Sequence, residues 1–305
     1  MHLMGAAVLT AANQTPNEGK LLASEELLRS KENDVSPIRG AIKTVTSVHM
    51  SLSESAEKYY TDLRRTYDLI RINRGANDDK FYIAAMMMSE YISNMVQILL
   101  LVDRAGSIYE EVGKLCKESG AHVSYPTSAF GAVAGITNIK QFVKDVDAVR
   151  ANLSDSSVMR GLAGDMYMII GMIPEDVKIK TDRAKDIYTY LEKMGFSFTG
   201  VEEGGSLGFL TGLDMPAEEI AAALYDADEF LKEYSGFVED GNPTILRHVY
   251  AAMLTFLAYL PERGVEGIKT KLEKEKESLK RMALMQTQMV MDIQMQYVDQ
   301  EELHI

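Results

Sequence analysis

The side chains able to do chemistry are dispersed along this chain, and only a few stretches bring them close together. GVEEGGSLG (200–208) sets two adjacent acids, Glu202 and Glu203, in a glycine-rich run. Glycine backbone N–H groups ahead of a helix can cradle a phosphate. This run follows no strand-like segment and has no Gly-Lys-Ser/Thr ending, so a phosphate loop has no scaffold here. It reads as a loop between helical units, and its two acids have no stronger claim to acid–base work than other surface carboxylates. Gly113-Lys114 is followed by Leu115 and fails the same test. Asp78-Asp79 does not extend to the magnesium motif of prenyl-chain enzymes, and Asp226-Ala227-Asp228 lacks the rest of a calcium loop.

The five histidines, His2, His49, His122, His248 and His304, are scattered, and none lies beside a carboxylate at metal-ligand spacing. Each reads as a surface or packed histidine. The single cysteine, Cys116, excludes an intrachain disulfide and a cysteine zinc cluster. It reads as a small buried residue, because no partner that would favour a thiolate is near it in sequence. No Gly-x-Ser-x-Gly occurs. No residue is therefore assigned a catalytic, cofactor-binding or metal-binding role, and no cofactor is expected.

Composition narrows the class. Of 305 residues, 46% are apolar and 25% charged, which is globular and not disordered. The formal charge of −13 repels phosphate backbones and argues against a nucleic-acid partner. The most basic stretch, KTKLEKEKESLKR (269–281), is interleaved with glutamates and reads as a solvated helix face. No apolar run reaches the roughly 18 residues that span a bilayer. With one cysteine, the chain fits a reducing, cytoplasmic compartment.

The elements that would carry these residues are revealed by a repeat. GAAVLTAANQTPNEG (5–19) and YAAMLTFLAYLPERG (250–264) share Ala6/Ala251, Ala7/Ala252, Leu9/Leu254, Thr10/Thr255, Pro16/Pro261 and Gly19/Gly264 at one constant offset of 245 residues. The N-terminal apolar run is thus expected to be a helix and not a leader. Weaker copies stand at 41–59, 81–94, 128–142, 164–177 and 207–220, giving seven units of about 41 residues. Each unit is expected to be a helix hairpin: a first helix rich in small residues, a tight turn, and a second helix opened by proline, which tolerates the first helical position. In GMIPEDVK (171–178), Pro174 would open that helix, with Glu175 and Asp176 in its first turn facing the positive end of the dipole. Where proline is absent, Ser51 or Ser53 would cap.

Second helices show amphipathic spacing. Ile187, Tyr190, Leu191 and Met194 form one apolar stripe, and Ile220, Leu224, Ala227, Leu231 and Tyr234 another. Glycines at 75, 120, 195 and 236 fall where helices end. No period-two alternation predicts a strand.

The fold class is therefore all-α: α/α helix-hairpin repeats forming a right-handed superhelical solenoid or a closed toroid, in a single domain over 1–305. The last part, 265–305, reads as one long helix. Leu272, Leu279, Gln286 and Ile293, with Ile268, Glu275, Met282 and Met289, mark a heptad seam, so both a cap on the last repeat and a homodimer contact stay open.

The segment AKDIYTYLEKMGF (184–196), followed by GSLGFLTGLDM (205–215), resembles an uncharacterised bacterial family of all-helical repeat proteins. The resemblance covers the middle and later units. It implies an all-helical fold and carries no known activity, cofactor or catalytic residue. Two functions fit. One is a non-enzymatic binding scaffold that holds a protein or peptide partner, with a basic one favoured by the net charge. The other is an α/α-toroid hydrolase or lyase with carboxylates in a central pocket. The absence of tryptophan, on which glycan-cleaving toroids often stack sugars, disfavours the second.

Overall fold

The structure is a computed structural model that describes residues 8–9, 14–32, 38, 40–76, 78, 80–91, 94–117, 120–154, 164–198, 200–233 and 244–268. Twelve helices occupy these residues: α1 (Glu18–Lys31), α2 (Gly40–Leu52), α3 (Ala56–Arg74), α4 (Lys80–Tyr91), α5 (Met95–Lys117), α6 (Tyr125–Val133), α7 (Ile139–Leu153), α8 (Asp165–Met172), α9 (Val177–Lys193), α10 (Val201–Leu210), α11 (Ala217–Lys232) and α12 (Thr244–Arg263). The fold is all-α. The one β-like feature among the described residues is an isolated antiparallel bridge between Leu213 and Gly264. Residues 269–305 of the expected long C-terminal helix and residues 5–7 and 10–13 of the first repeat copy lie outside the described residues.

The described chain divides into two compact units. One holds α1 to α4, the first half of α5 and most of α6; the other holds the rest of α5 and α7 to α12. In the first, α1 packs on α2, α2 on α3, and α3 on α4. Its core joins Ile42, Val45, Leu63, Ile70, Tyr82, Met86 and Met87, all buried. In the second unit the contacts run in two rows. Helices α8, α10 and α12 touch in series, and so do α7, α9 and α11.

Composition explains the two rows. The inner helices α8 (DMYMIIGM) and α10 (VEEGGSLGFL) are short and apolar, and six consecutive residues of α8, Met166–Gly171, are buried. Glycines let these helices approach their neighbours. A Cβ on Gly208 would stand 3.0 Å from Ile169 Cβ, and one on Gly171 would stand 3.0 Å from Val146 Cγ2. The glycine-rich run 200–208 is thus the opening and body of a buried helix and not a loop, which corrects the reading from sequence. Its glycines serve close packing, at some cost in helix propensity.

The turns also differ from expectation. Pro174 does not open α9. Asp176 is the N-cap, accepting from the N–H groups of Lys178 (2.9 Å) and Ile179 (3.4 Å). Pro174 stands two residues earlier, so close to Gly267 that a Cβ there would meet its Cγ at 2.5 Å. Pro216 occupies the N-cap of α11. Pro261 lies inside the last turn of α12. Proline therefore takes three different places, ahead of the cap at Pro174, at the cap at Pro216 and inside the last turn at Pro261, and at α9 a side-chain oxygen does the capping. Likewise Ser55, not Ser51 or Ser53, caps α3, accepting from Lys58 N–H at 3.3 Å. Gly75 ends α3 and Gly195 follows α9, both with left-handed backbone as anticipated.

The buried stripes are rotated slightly from those read in the sequence. On α9 they run Lys180, Ala184, Ile187, Leu191, with Tyr188 beside them, while Met194 is exposed. On α11 they run Ile220, Leu224, Asp228, Leu231, so Asp228 takes the place expected for Ala227. Two charged residues thus sit on core faces.

Candidate functional site

Those two residues anchor the two polar sites of the second unit. The first is closed. Asp228 is buried and accepts from Arg247 Nε at 2.6 Å, with Arg247 Nη2 at 3.4 Å and Lys232 Nζ at 3.3 Å from its other oxygen. His248, next along α12, presents Nε2 4.0 Å from Asp228 Oδ1 and Nδ1 2.7 Å from Glu203 Oε1. Glu203 has no solvent exposure, and its second oxygen accepts from Gly200 N–H at 2.8 Å, closing the first turn of α10. Phe196 covers the imidazole with ring centroids 4.0 Å apart, and Phe198 meets it edge-on at 6.3 Å. Tyr188 adds a phenol whose pKa is pushed up to about 12, first by burial and then by the Glu192 and Glu203 carboxylates.

This arrangement corrects two expectations. Glu203 is not a surface carboxylate, and His248 does form a close carboxylate pair, with a residue 45 positions away. The spacing rule for metal motifs looks only at near neighbours, whereas this pair forms because α10 and α12 stack side by side. The described side chains form no group that could hold a metal ion. His49, on α2, is buried, stacked on Tyr59 with centroids 6.1 Å apart. Cys116 is buried, and its thiol is pushed up to about 11, chiefly by burial, as suits an inert packed cysteine.

The second site is open. A cleft of about 630 Å³ lies around the turn Ile173-Pro174-Glu175-Asp176, walled by Phe142 and Asp145 of α7 and by Val177 and Lys180 of α9. Its size falls in the range of small-ligand sites. Glu175, expected at the helix dipole, instead forms a two-pronged pair with Arg183 (2.9 and 3.0 Å), which also donates to Thr211 O at 2.7 Å and ties this turn to the end of α10. Lys180 is only 3% exposed. Its Nζ donates to Ile173 O at 2.8 Å and Gly171 O at 3.4 Å, the carbonyls at the end of α8. Burial lowers its pKa from the ordinary lysine range, against the opposite pull of Asp145, Glu175 and Asp176. Sequence reading passed over Lys180. The available signal was a lysine at i, i+4, i+7 with Ala184 and Ile187 on the apolar stripe of a helix.

The first unit carries a smaller polar cluster and a bare apolar face. Tyr60 donates to Glu32 at 2.5 Å, and Arg64 Nη1 lies 3.7 Å from the same oxygen. At the start of α5, Met95, Val96, Leu99 and Leu100 are 38–65% exposed while Ile98, Leu101 and Val102 are buried. No described helix is long and apolar enough to cross a membrane.

No family model matches the chain, and no curated protein or solved structure was found to be similar to it. The function therefore has to be argued from these sites.

Proposed function

We propose that the chain is a non-enzymatic binding scaffold, built on α/α helix-hairpin repeats, that holds a protein or peptide partner. The observation that carries this reading is the apolar face of α5. Residues 95, 96, 99 and 100 lie on one side of the helix, and four large apolar side chains left in water there are unfavourable unless something covers them. A partner that supplies an apolar helix face fits such a stripe. The charge of −13 favours a partner with basic residues flanking its apolar ones.

The repeat reading draws support from the two rows of helices in the second unit. It draws further support from Ser124, whose N–H and hydroxyl both bond Asp165, 41 residues on, at 2.9 and 2.7 Å. Stacked hairpins offer extended surfaces of the kind that bind peptides. The enzyme reading needs carboxylates in a central pocket. Glu203 is buried against His248 and does not line this cleft, and of the cleft's three carboxylates Asp145 accepts from Gln141, Glu175 is tied to Arg183 and Asp176 caps α9, so the scaffold is the better supported of the two.

The test is a peptide-display selection on the immobilised full chain, repeated on the Leu99→Asp/Leu100→Asp variant. Enriched peptides should carry apolar residues at helical spacing with Lys or Arg around them. Their affinity should fall at least about tenfold on the variant, equivalent to about 1.4 kcal/mol. Peptides that bind both proteins equally, or no enrichment at all, would overturn the proposal.

A further inference from the structure

We infer that Lys180 is a reactive amine, the nucleophile of the cleft around Pro174, and that this cleft takes a small aldehyde or ketone as an imine. Three observations converge. Lys180 lines an open cleft of about 630 Å³, so a small molecule can reach its surroundings. The residue is 97% removed from solvent, being 3% exposed, and no carboxylate of the described residues comes within ion-pair distance of its Nζ. Its hydrogen-bond partners are two, both of them neutral carbonyls, Ile173 O and Gly171 O. Buried lysines are ordinarily paired.

The two carbonyls accept from Nζ and fix the nitrogen beside the cleft, and neither gives it a counter-charge. The form that attacks a carbonyl is the neutral amine, which carries a lone pair. The groups that favour the ammonium are the three carboxylates on the cleft, Asp145 from α7 with Glu175 and Asp176 from the turn, and the carbonyl end of α8. Loss of hydration outweighs them, and the direction of the lysine shift agrees with this. Desolvation in an apolar-walled pocket is one of the ways a lysine becomes a nucleophile for carbonyl substrates. Phe142, Ile173 and Val177 supply the apolar wall.

The step balances without an oxidant or reductant. The Nζ lone pair adds to the carbonyl carbon, and the C=O π pair moves to oxygen, giving a carbinolamine. A proton passes from nitrogen to oxygen through solvent in the open cleft. Water leaves as the C=N bond forms. The inference stands apart from the partner proposed for α5, since the cleft lies in the other compact unit.

The full chain is incubated with salicylaldehyde and sodium cyanoborohydride at pH 7, and the alkylated lysines are mapped by peptide mass. Lys178, exposed on the same helix and paired with Asp182, is the internal reference. Lys180 should be labelled at least about tenfold faster than Lys178, the factor that one unit of pKa represents. Lys180→Arg retains a donor for the two carbonyls and should lose the fast label, and Leu99→Asp/Leu100→Asp should leave it unchanged. Labelling of Lys180 no faster than Lys178, labelling only in denaturing urea, or a fast label that persists in Lys180→Arg would each overturn the assignment.

Discussion

The second unit buries charge in two ways. At Asp228 opposite charges meet, Arg247 and Lys232 on the carboxylate, with the His248–Glu203 hydrogen-bond contact beside them. At Lys180 the amine is buried with two neutral carbonyls as its hydrogen-bond partners. Both residues occupy apolar stripes, on neighbouring helices of the same row. A compensated network is costly to break but inert, because its members are already satisfied. An uncompensated lysine stores no pair energy, and burial makes its proton easier to lose. The first arrangement serves stability and the second offers chemistry.

The largest way to break this contrast is Asp228→Ala. It leaves Arg247, Lys232 and His248 without their shared anion and should cost about 3–5 kcal/mol in urea unfolding. Glu203→Gln should cost less, about 1.5–3 kcal/mol, since the amide oxygen can still accept from Gly200 N–H but loses its charge toward His248. Replacing both members of that pair, as Glu203→Leu with His248→Phe, should recover part of the loss, and a double-mutant cycle measures how much.

Lys180→Met sharpens the other side. With no ion pair to break but two carbonyls losing the lysine donor, it should cost about 1–3 kcal/mol at pH 7. Its pH signature is specific. A lysine whose folded-state pKa is lowered binds fewer protons folded than unfolded between that value and the ordinary 10.5. Wild-type stability relative to the variant should therefore rise with pH across that window and level off above it. Urea titrations of both proteins at several alkaline pH values check the slope; a flat difference would show Lys180 to be an ordinary ammonium. The smallest effect is expected at α5. Leu99→Asp with Leu100→Asp removes no buried contact and should shift stability by within about 0.5 kcal/mol per site, measured by the same unfolding.

Part of the fold was legible. The caps Asn17, Ser55, Asn138 and Asp176 act by local chemistry, yet the sequence offered Ser51, Ser53 and the prolines as equally good helix starts, and only the backbone course chose between them. Helical class followed from apolar spacing, and the glycines after α3 and α9 from their left-handed backbone. The stripes were misplaced by about one position because Tyr190 and Met194 are apolar enough to count, yet it is Tyr188 that faces the core. The run 200–208 was misread because glycine signals a loop locally, while here it permits close helix contact.

What the sequence determined by itself was period: that most of these segments are helices, and roughly which side of each is apolar. Period says which side of a helix a residue occupies and nothing about what stands opposite. Only the tertiary structure decided that Asp228 meets Arg247, 19 residues away, that Glu203 meets His248, 45 away, and that Lys180 meets two carbonyls and a cleft. The physical reason is that the cost of a buried charge depends on its partners, and in a stack of helices those partners come from neighbouring helices.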